Sequence, residues 1–137
     1  MPSIRVVAAI IERNGKLLIT QRPMDVHLAG LWEFPGGKVE PEETLEQALV
    51  REIQEEIGVK IQILAEYFQV EHAYPTKSVQ LHFFDCAILE GDPIPLHVAN
   101  LRWVAREELE FFSFPEADRE LILRLRTRPP RSYRHEC

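Results

Sequence analysis

Between positions 45 and 57 apolar residues recur with helical spacing, whereas on either side they alternate or run together as strands do. At about 100° per residue, Leu49, Val50, Ile53 and Ile57 fall on one stripe, and Glu52, Glu55 and Glu56 gather within about 100° of arc roughly 120° away. Gln47, Arg51 and Gln54 take the remaining side. The helix starts where Thr44 and Gln47 form a Thr-x-x-Gln capping box behind Pro41, and it stops at Gly58, which tolerates a left-handed backbone. Such a helix buries its stripe against a sheet and holds three carboxylates at the margin of the core.

Residues 4–12 predict a buried strand, Asn14-Gly15 a hairpin turn, and 16–22 the partner strand. Residues 23–30 are irregular. The segment 31–37 then brings a short apolar strand into a glycine turn at Gly36-Gly37, where missing side chains let the backbone pass close to a ligand. Segments 60–71 and 78–89, rich in β-branched and aromatic residues, predict a long second hairpin across Tyr74-Pro75-Thr76-Lys77. Residues 101–104 predict a short strand and 106–110 a helical turn. Ser113-Phe114-Pro115-Glu116 is expected to cap a last helix reaching about 126, with Leu121, Ile122 and Leu125 facing inward. The economical architecture is α/β, a mixed sheet between helices, in one domain over 1–127 with a loose tail at 128–137.

Composition narrows the function classes. A chain of 137 residues, 45% hydrophobic, suffices for one compact core and is short for two domains. A formal charge of −6 without a basic block argues against a nucleic-acid polymer as partner, and a polyphosphate substrate would need its charge masked by metal. The apolar run at 6–11 is too short for a signal peptide or a membrane span. Cys86 lies in a strand-like run and Cys137 ends the chain, so the expectation is no structural disulfide and a reducing cytoplasm.

Like charges at i, i+3 and i+4 repel, so Glu52, Glu55 and Glu56 call for a compensating cation, for which a hard divalent ion such as Mg²⁺ or Mn²⁺ is suited. A bare Glu-x-x-Glu-Glu is an ordinary solvated face with an Arg51–Glu55 pair. The full pattern over 23 residues, Gly37-x5-Glu43-x7-Arg51-Glu52-Ile53-x-Glu55-Glu56-x-Gly58-Val59, is similar at every fixed position to the signature box of the Nudix hydrolases. The likeness extends to Val6-Val7-Ala8-Ala9-Ile10-Ile11, Gln21-Arg22-Pro23, Leu31-Trp32-Glu33-Phe34-Pro35-Gly36-Gly37-Lys38-Val39-Glu40 and Phe114-Pro115-Glu116-Ala117-Asp118, which resemble the MutT branch.

The resemblance implies an α/β/α sandwich and Mg²⁺-dependent hydrolysis of nucleoside triphosphates to monophosphate and pyrophosphate, often on oxidised bases as in 8-oxo-dGTP. Monomer and homodimer both stay open as expectations. The resemblance also implies that Glu52, Glu55, Glu56 and the Gly37 carbonyl ligate the metal, that Arg51 orients the glutamates, and that Glu43 supports the loop. Arg22 is then expected at the phosphates or the sugar and Lys38 at the phosphates, while His27, Phe34 and the 74–77 turn border the nucleotide pocket. Three positions depart from the branch. His97 stands where relatives often carry a glutamate that binds metal or activates water, Lys77 where an arginine is familiar, and Asp118 where 8-oxoguanine-specific members have asparagine. Cytidine-directed members share the aspartate, which makes a (d)CTP or 5-modified cytidine triphosphate the alternative substrate. An ionised carboxylate only accepts hydrogen bonds and suits an exocyclic amine, whereas a protonated one donates and accepts. A Nudix-fold sensor that binds without cleaving would show a degraded box; this one keeps every carboxylate.

Overall fold

The computed structural model describes residues 2–130. Its strands are β1 (Ser3–Arg13), β2 (Lys16–Gln21), β3 (Trp32–Glu33), β4 (Gly36–Lys38), β5 (Lys60–Tyr74), β6 (Lys77–Glu90) and β7 (Asn100–Ala105). The helices are α1 (Leu45–Ile57) and α2 (Arg119–Thr127), and 3-10 turns cover Arg106–Phe111 and Glu116–Asp118. The sheet runs β3-β2-β1-β6-β5, with β4 added to β1 and β7 to β2. Because β1 is parallel to β6 and antiparallel to β2 and β4, the sheet is mixed.

Alternation along β1 builds a core on each face. Val7, Ala9 and Ile11 meet Leu49, Ile53 and Ile57 of α1, and Ala8 and Ile10 pack with Leu109, Leu121 and Leu125 below α2. This is the α/β/α sandwich. On α1 the predicted caps are both present: Thr44 and Gln47 exchange the two bonds of the capping box, and Gly58 is left-handed with φ 73°. Val50, expected in the buried stripe, is instead exposed, and Ala48 is buried in its place. The helix is rolled so that Glu52 and Glu56 are half-buried against the sheet, which moves the buried face away from Val50.

The segment 31–37 also differs from expectation. Pro35 lacks an N–H and interrupts it, so the chain pairs first with β2 as β3 and then crosses to β1 as β4. Gly36-Gly37 is therefore strand, and the turn falls later, where Glu42 has φ 69°. A side chain at Gly36 would run into the Val7 carbonyl.

Ser113 does not cap the last helix; its carbonyl accepts the Trp32 N–H at 2.8 Å, and a 3-10 turn at Glu116–Asp118 leads into α2. Ile122 is only half-buried, while Leu121 and Leu125 are fully so. Most of the expected tail lies outside the described residues, but Arg128 at its start is anchored. Arg128 donates to both Asp85 oxygens at 3.0 and 3.1 Å and pairs with Glu12 at 3.4 Å, beside an Arg106–Glu12 bridge of 2.9 Å. Cys86 is buried, with its thiol donating to the Phe84 carbonyl at 3.5 Å, and Cys137 lies outside the described residues. Among the described residues no helix is long and apolar enough to cross a membrane.

Candidate active site

A cavity of about 460 Å³ opens where β4, the end of α1, the β2–β3 loop, the β5–β6 turn and the Pro115–Asp118 segment meet. Arg22, His27, Phe34, Gly37, Lys38, Glu56, Lys77 and Asp118, all singled out in the sequence, line it together.

At its α1 end, the helix sets Glu52 and Glu56 one turn apart, with β4 drawn against them. The Gly36 N–H donates to Glu56 Oε1 at 3.2 Å. Gly37 lies so close to Glu52 that any Cβ there would collide with the carboxylate. Burial, then the charges of Glu33 and Glu52, push the Glu56 carboxyl up to about 8, and burial raises Glu52 despite Arg51. Two carboxyls forced together beside a backbone that admits no side chain form an oxygen-rich site in need of positive charge. Glu52, Glu56 and the Gly37 carbonyl would hold a hard divalent cation, for which this donor set fits. Among the described residues, however, no three acidic, histidine or cysteine groups are already gathered as a cage.

Arg51 organises this end. Its Nε and Nη2 donate to Glu43 at 2.6 and 2.9 Å, Nη1 donates to Glu52 at 3.1 Å and to Glu55 at 3.3 Å, and Nη2 also reaches the Lys38 carbonyl at 3.1 Å. The bonds from Arg51, then the Glu40 N–H, hold Glu43 down at about 2. Of the three helix glutamates Glu56 alone lines the cavity; Glu52 lies against Gly37, and Glu55 is exposed and turned to Arg51.

At the opposite end Asp118 is buried at 4% exposure, and burial, then the charge of Glu33, push its carboxyl up to about 7. It is no solvated first-turn residue. Phe34 stacks on Phe114 with centroids 5.6 Å apart, Tyr74 meets His27 edge-on at 5.6 Å, and the Lys77 ammonium lies 5.9 Å from the Tyr74 ring. Between the ends, Arg22 Nη1 donates to both Glu33 oxygens.

His97 is placed elsewhere. It sits in the loop over the end of α1, where its backbone N–H donates to the Glu56 carbonyl at 3.1 Å; its side chain is exposed and does not line the cavity. Glu33 also lines the cavity, a charged residue to which the sequence pattern assigned no role. For Glu33 the available signal is a lone carboxylate between Trp32 and Phe34, since a charge in an otherwise apolar strand is unusual unless it is paired.

The NUDIX domain family matches residues 6–124. The chain belongs to the Nudix hydrolases. Among Nudix relatives, the CTP pyrophosphohydrolase of Escherichia coli K12 is 39% identical over 122 residues, covering 89% of this chain and 90% of the relative. The 8-oxo-dGTP diphosphatase of the same organism is 35% identical over 127 residues, covering 92% and 98%. The crystal structure of a MutT protein from Methanosarcina mazei Go1 superposes with a TM-score of 0.82 at 30% identity, covering 90% of this chain and 93% of that one.

Proposed function

We propose that this Nudix hydrolase is a cytoplasmic, divalent-metal-dependent pyrophosphohydrolase that cleaves nucleoside triphosphates to monophosphate and pyrophosphate, sanitising oxidised nucleotides such as 8-oxo-dGTP. The observation that supports this reading is the buried Asp118 carboxyl at one end of the same cavity that holds Glu56 and Gly37 at the other. A nucleotide lying along the cavity puts its base at Asp118 and its phosphates at Lys38, Arg22 and Glu56. A bound Mg²⁺ or Mn²⁺ supplies charge neutralisation and polarisation of the phosphoryl oxygens. The protein's own part is positional: Arg51 fixes Glu52, the Gly36 N–H fixes Glu56, and one of these two carboxylates takes the proton of the water that attacks phosphorus.

A carboxyl raised to about 7 is largely neutral in mildly acidic solution and then imitates an asparagine amide, accepting from one base group and donating to its neighbour. The 6-oxygen and N1–H of 8-oxoguanine meet both demands. A second reading is favoured by the 39% identity to the E. coli CTP pyrophosphohydrolase: a cytidine triphosphate whose amine faces the carboxylate.

The test is kcat/KM for 8-oxo-dGTP and CTP at about pH 6 and 8.5, in the native protein and in Asp118→Asn, followed by released pyrophosphate. The oxidised-guanine reading expects a native preference for 8-oxo-dGTP that fades as pH rises through the Asp118 titration and no longer fades in the asparagine variant. The mismatch of a buried polar group is worth about 1–3 kcal/mol, roughly 5- to 150-fold. A native preference for CTP that Asp118→Asn abolishes selects the second reading, and orthophosphate as primary product rejects both.

A further inference from the structure

Glu33 has no part in the reading above, yet both ends of the cavity feel its charge. It lies on β3 opposite Thr20 of β2, with its side chain 21% exposed in the cavity wall. Arg22 Nη1 donates to its two oxygens at 3.1 and 3.3 Å, and Arg22 Nε donates to the His27 carbonyl at 2.7 Å. Two of the three guanidinium nitrogens are thus committed to opposite sides of one loop. That loop is itself closed at its base, the Arg22 N–H bonding the Leu31 carbonyl at 2.8 Å and the Gly30 N–H the Arg22 carbonyl at 3.2 Å. A planar fork held at two nitrogens keeps one orientation, which a lysine ammonium would not.

Toward the other end, the Glu33 charge is the chief electrostatic influence on Asp118 after burial. The titratable and charged groups sharing the cavity with Asp118 are Glu33 on β3, Arg22 after β2, Tyr74 ending β5, Lys77 opening β6, His27 in the loop, and Lys38 and Glu56 at the far end. On its own segment Glu116 and Arg119 are exposed and pair with each other at 3.6 Å.

We infer that Glu33 is a positioning residue for both ends of the substrate: it sets the Arg22 guanidinium for the triphosphate and, from the wall of the same cavity, adds its charge to the burial under which Asp118 meets the base. The inference rests on the pyrophosphohydrolase reading and adds to it a residue that touches neither the phosphorus nor the base.

Three measurements on the native protein, Glu33→Gln and Arg22→Lys test it: KM and kcat for the better nucleotide, the pH profile of the 8-oxo-dGTP to CTP preference, and a ¹³C NMR titration of the Asp118 carboxyl in metal-free protein. Glu33→Gln is expected to raise KM about 5- to 50-fold with kcat within about threefold, as for one lost charge-assisted bond that acts in binding. In the same variant Asp118 should titrate at lower pH and carry the preference profile with it, a change that loss of local packing alone would not produce. Arg22→Lys should reproduce the KM change, and it decides the phosphate half if Glu33→Gln does not fold, an unchanged KM then overturning that half. An unchanged KM or an unmoved Asp118 titration in Glu33→Gln overturns the inference, as does a fall confined to kcat. If the native protein releases no pyrophosphate from any triphosphate, the underlying reading fails instead, while the NMR arm still reports on Glu33 and Asp118.

Discussion

At the scale of single residues, Glu56 and His97 are joined through the backbone but differ in what their side chains face. Glu56 is held at the cavity wall by the Gly36 N–H and crowded by Glu33 and Glu52, so replacing its charge removes an electrostatic partner from the end of the cavity proposed for the phosphates. Glu56→Gln is expected to lose at least about 10²-fold in kcat, the usual scale for one electrostatic stabiliser, and EDTA should abolish native turnover; full activity in either case would refute the metal-dependent reading. His97 contributes a backbone N–H to the Glu56 carbonyl while its imidazole is exposed. His97→Ala should therefore keep kcat within about threefold and leave the pH profile unmoved, and a tenfold loss with a shifted acidic limb would return water activation to the imidazole. The chemistry-bearing residues of α1 were legible because their spacing is local. Asp118 was legible as a residue but not as a buried one, because what covers it comes from β3, β5 and the β2–β3 loop, far away in the chain. The role of Glu33 is not legible for the same reason: Arg22 comes within reach of it only because β2 pairs with β3.

Among the elements, α1 was the most legible, since a capping box and a left-handed glycine are local signals that need no knowledge of the sheet. Which of its neighbouring apolar residues would be buried was not, because Ala48 and Val50 differ by a roll that the sheet decides. The short strand β4 was the least legible. Its pairing with β1 bridges some thirty positions, and nothing in Gly36-Gly37 itself distinguishes a turn from an extended ribbon pressed against a neighbour. The structure makes the distinction testable. Gly37→Ala keeps an allowed strand backbone but drives a methyl into the Glu52 carboxylate. The variant should fold with a cooperative melt yet lose about tenfold or more in kcat through displacement of that carboxylate; native turnover would mean that Glu52 can move aside without consequence.

For the molecule as a whole, the burial of Glu56 and Asp118 ties folding to pH. Both carboxyls lie above their ordinary range in the folded chain, at about 8 and about 7, and return to it on unfolding. The folded state thus binds protons that the unfolded state has released between roughly pH 4.5 and 8, so metal-free stability falls as pH rises through that window. The metal-free protein is expected to melt higher at about pH 5.5 than at about pH 8, and Asp118→Asn with Glu56→Gln should flatten the difference; an upward slope in the native protein would contradict the burial of the two acids.

The buried charges around Arg128 have a consequence for where this protein ends. Hydrophobic burial on α2 stops at Leu125, and a boundary drawn from the apolar pattern falls just beyond it. Among the described residues the last tie is ionic, three residues farther on, where one guanidinium clasps Asp85 and Glu12 from strands that lie far back in the chain. A polypeptide cut after Thr127 would keep the whole apolar interior and lose that clasp. Breaking a buried pair by removing one partner costs on the order of 3–5 kcal/mol, which for a domain of this size is a melting point lower by roughly 10 °C or more, whereas a cut after Pro130 keeps the clasp. Equal melting points for the two truncations would show that the clasp is dispensable; otherwise the minimal folding unit is defined by a charge rather than by the edge of the oil.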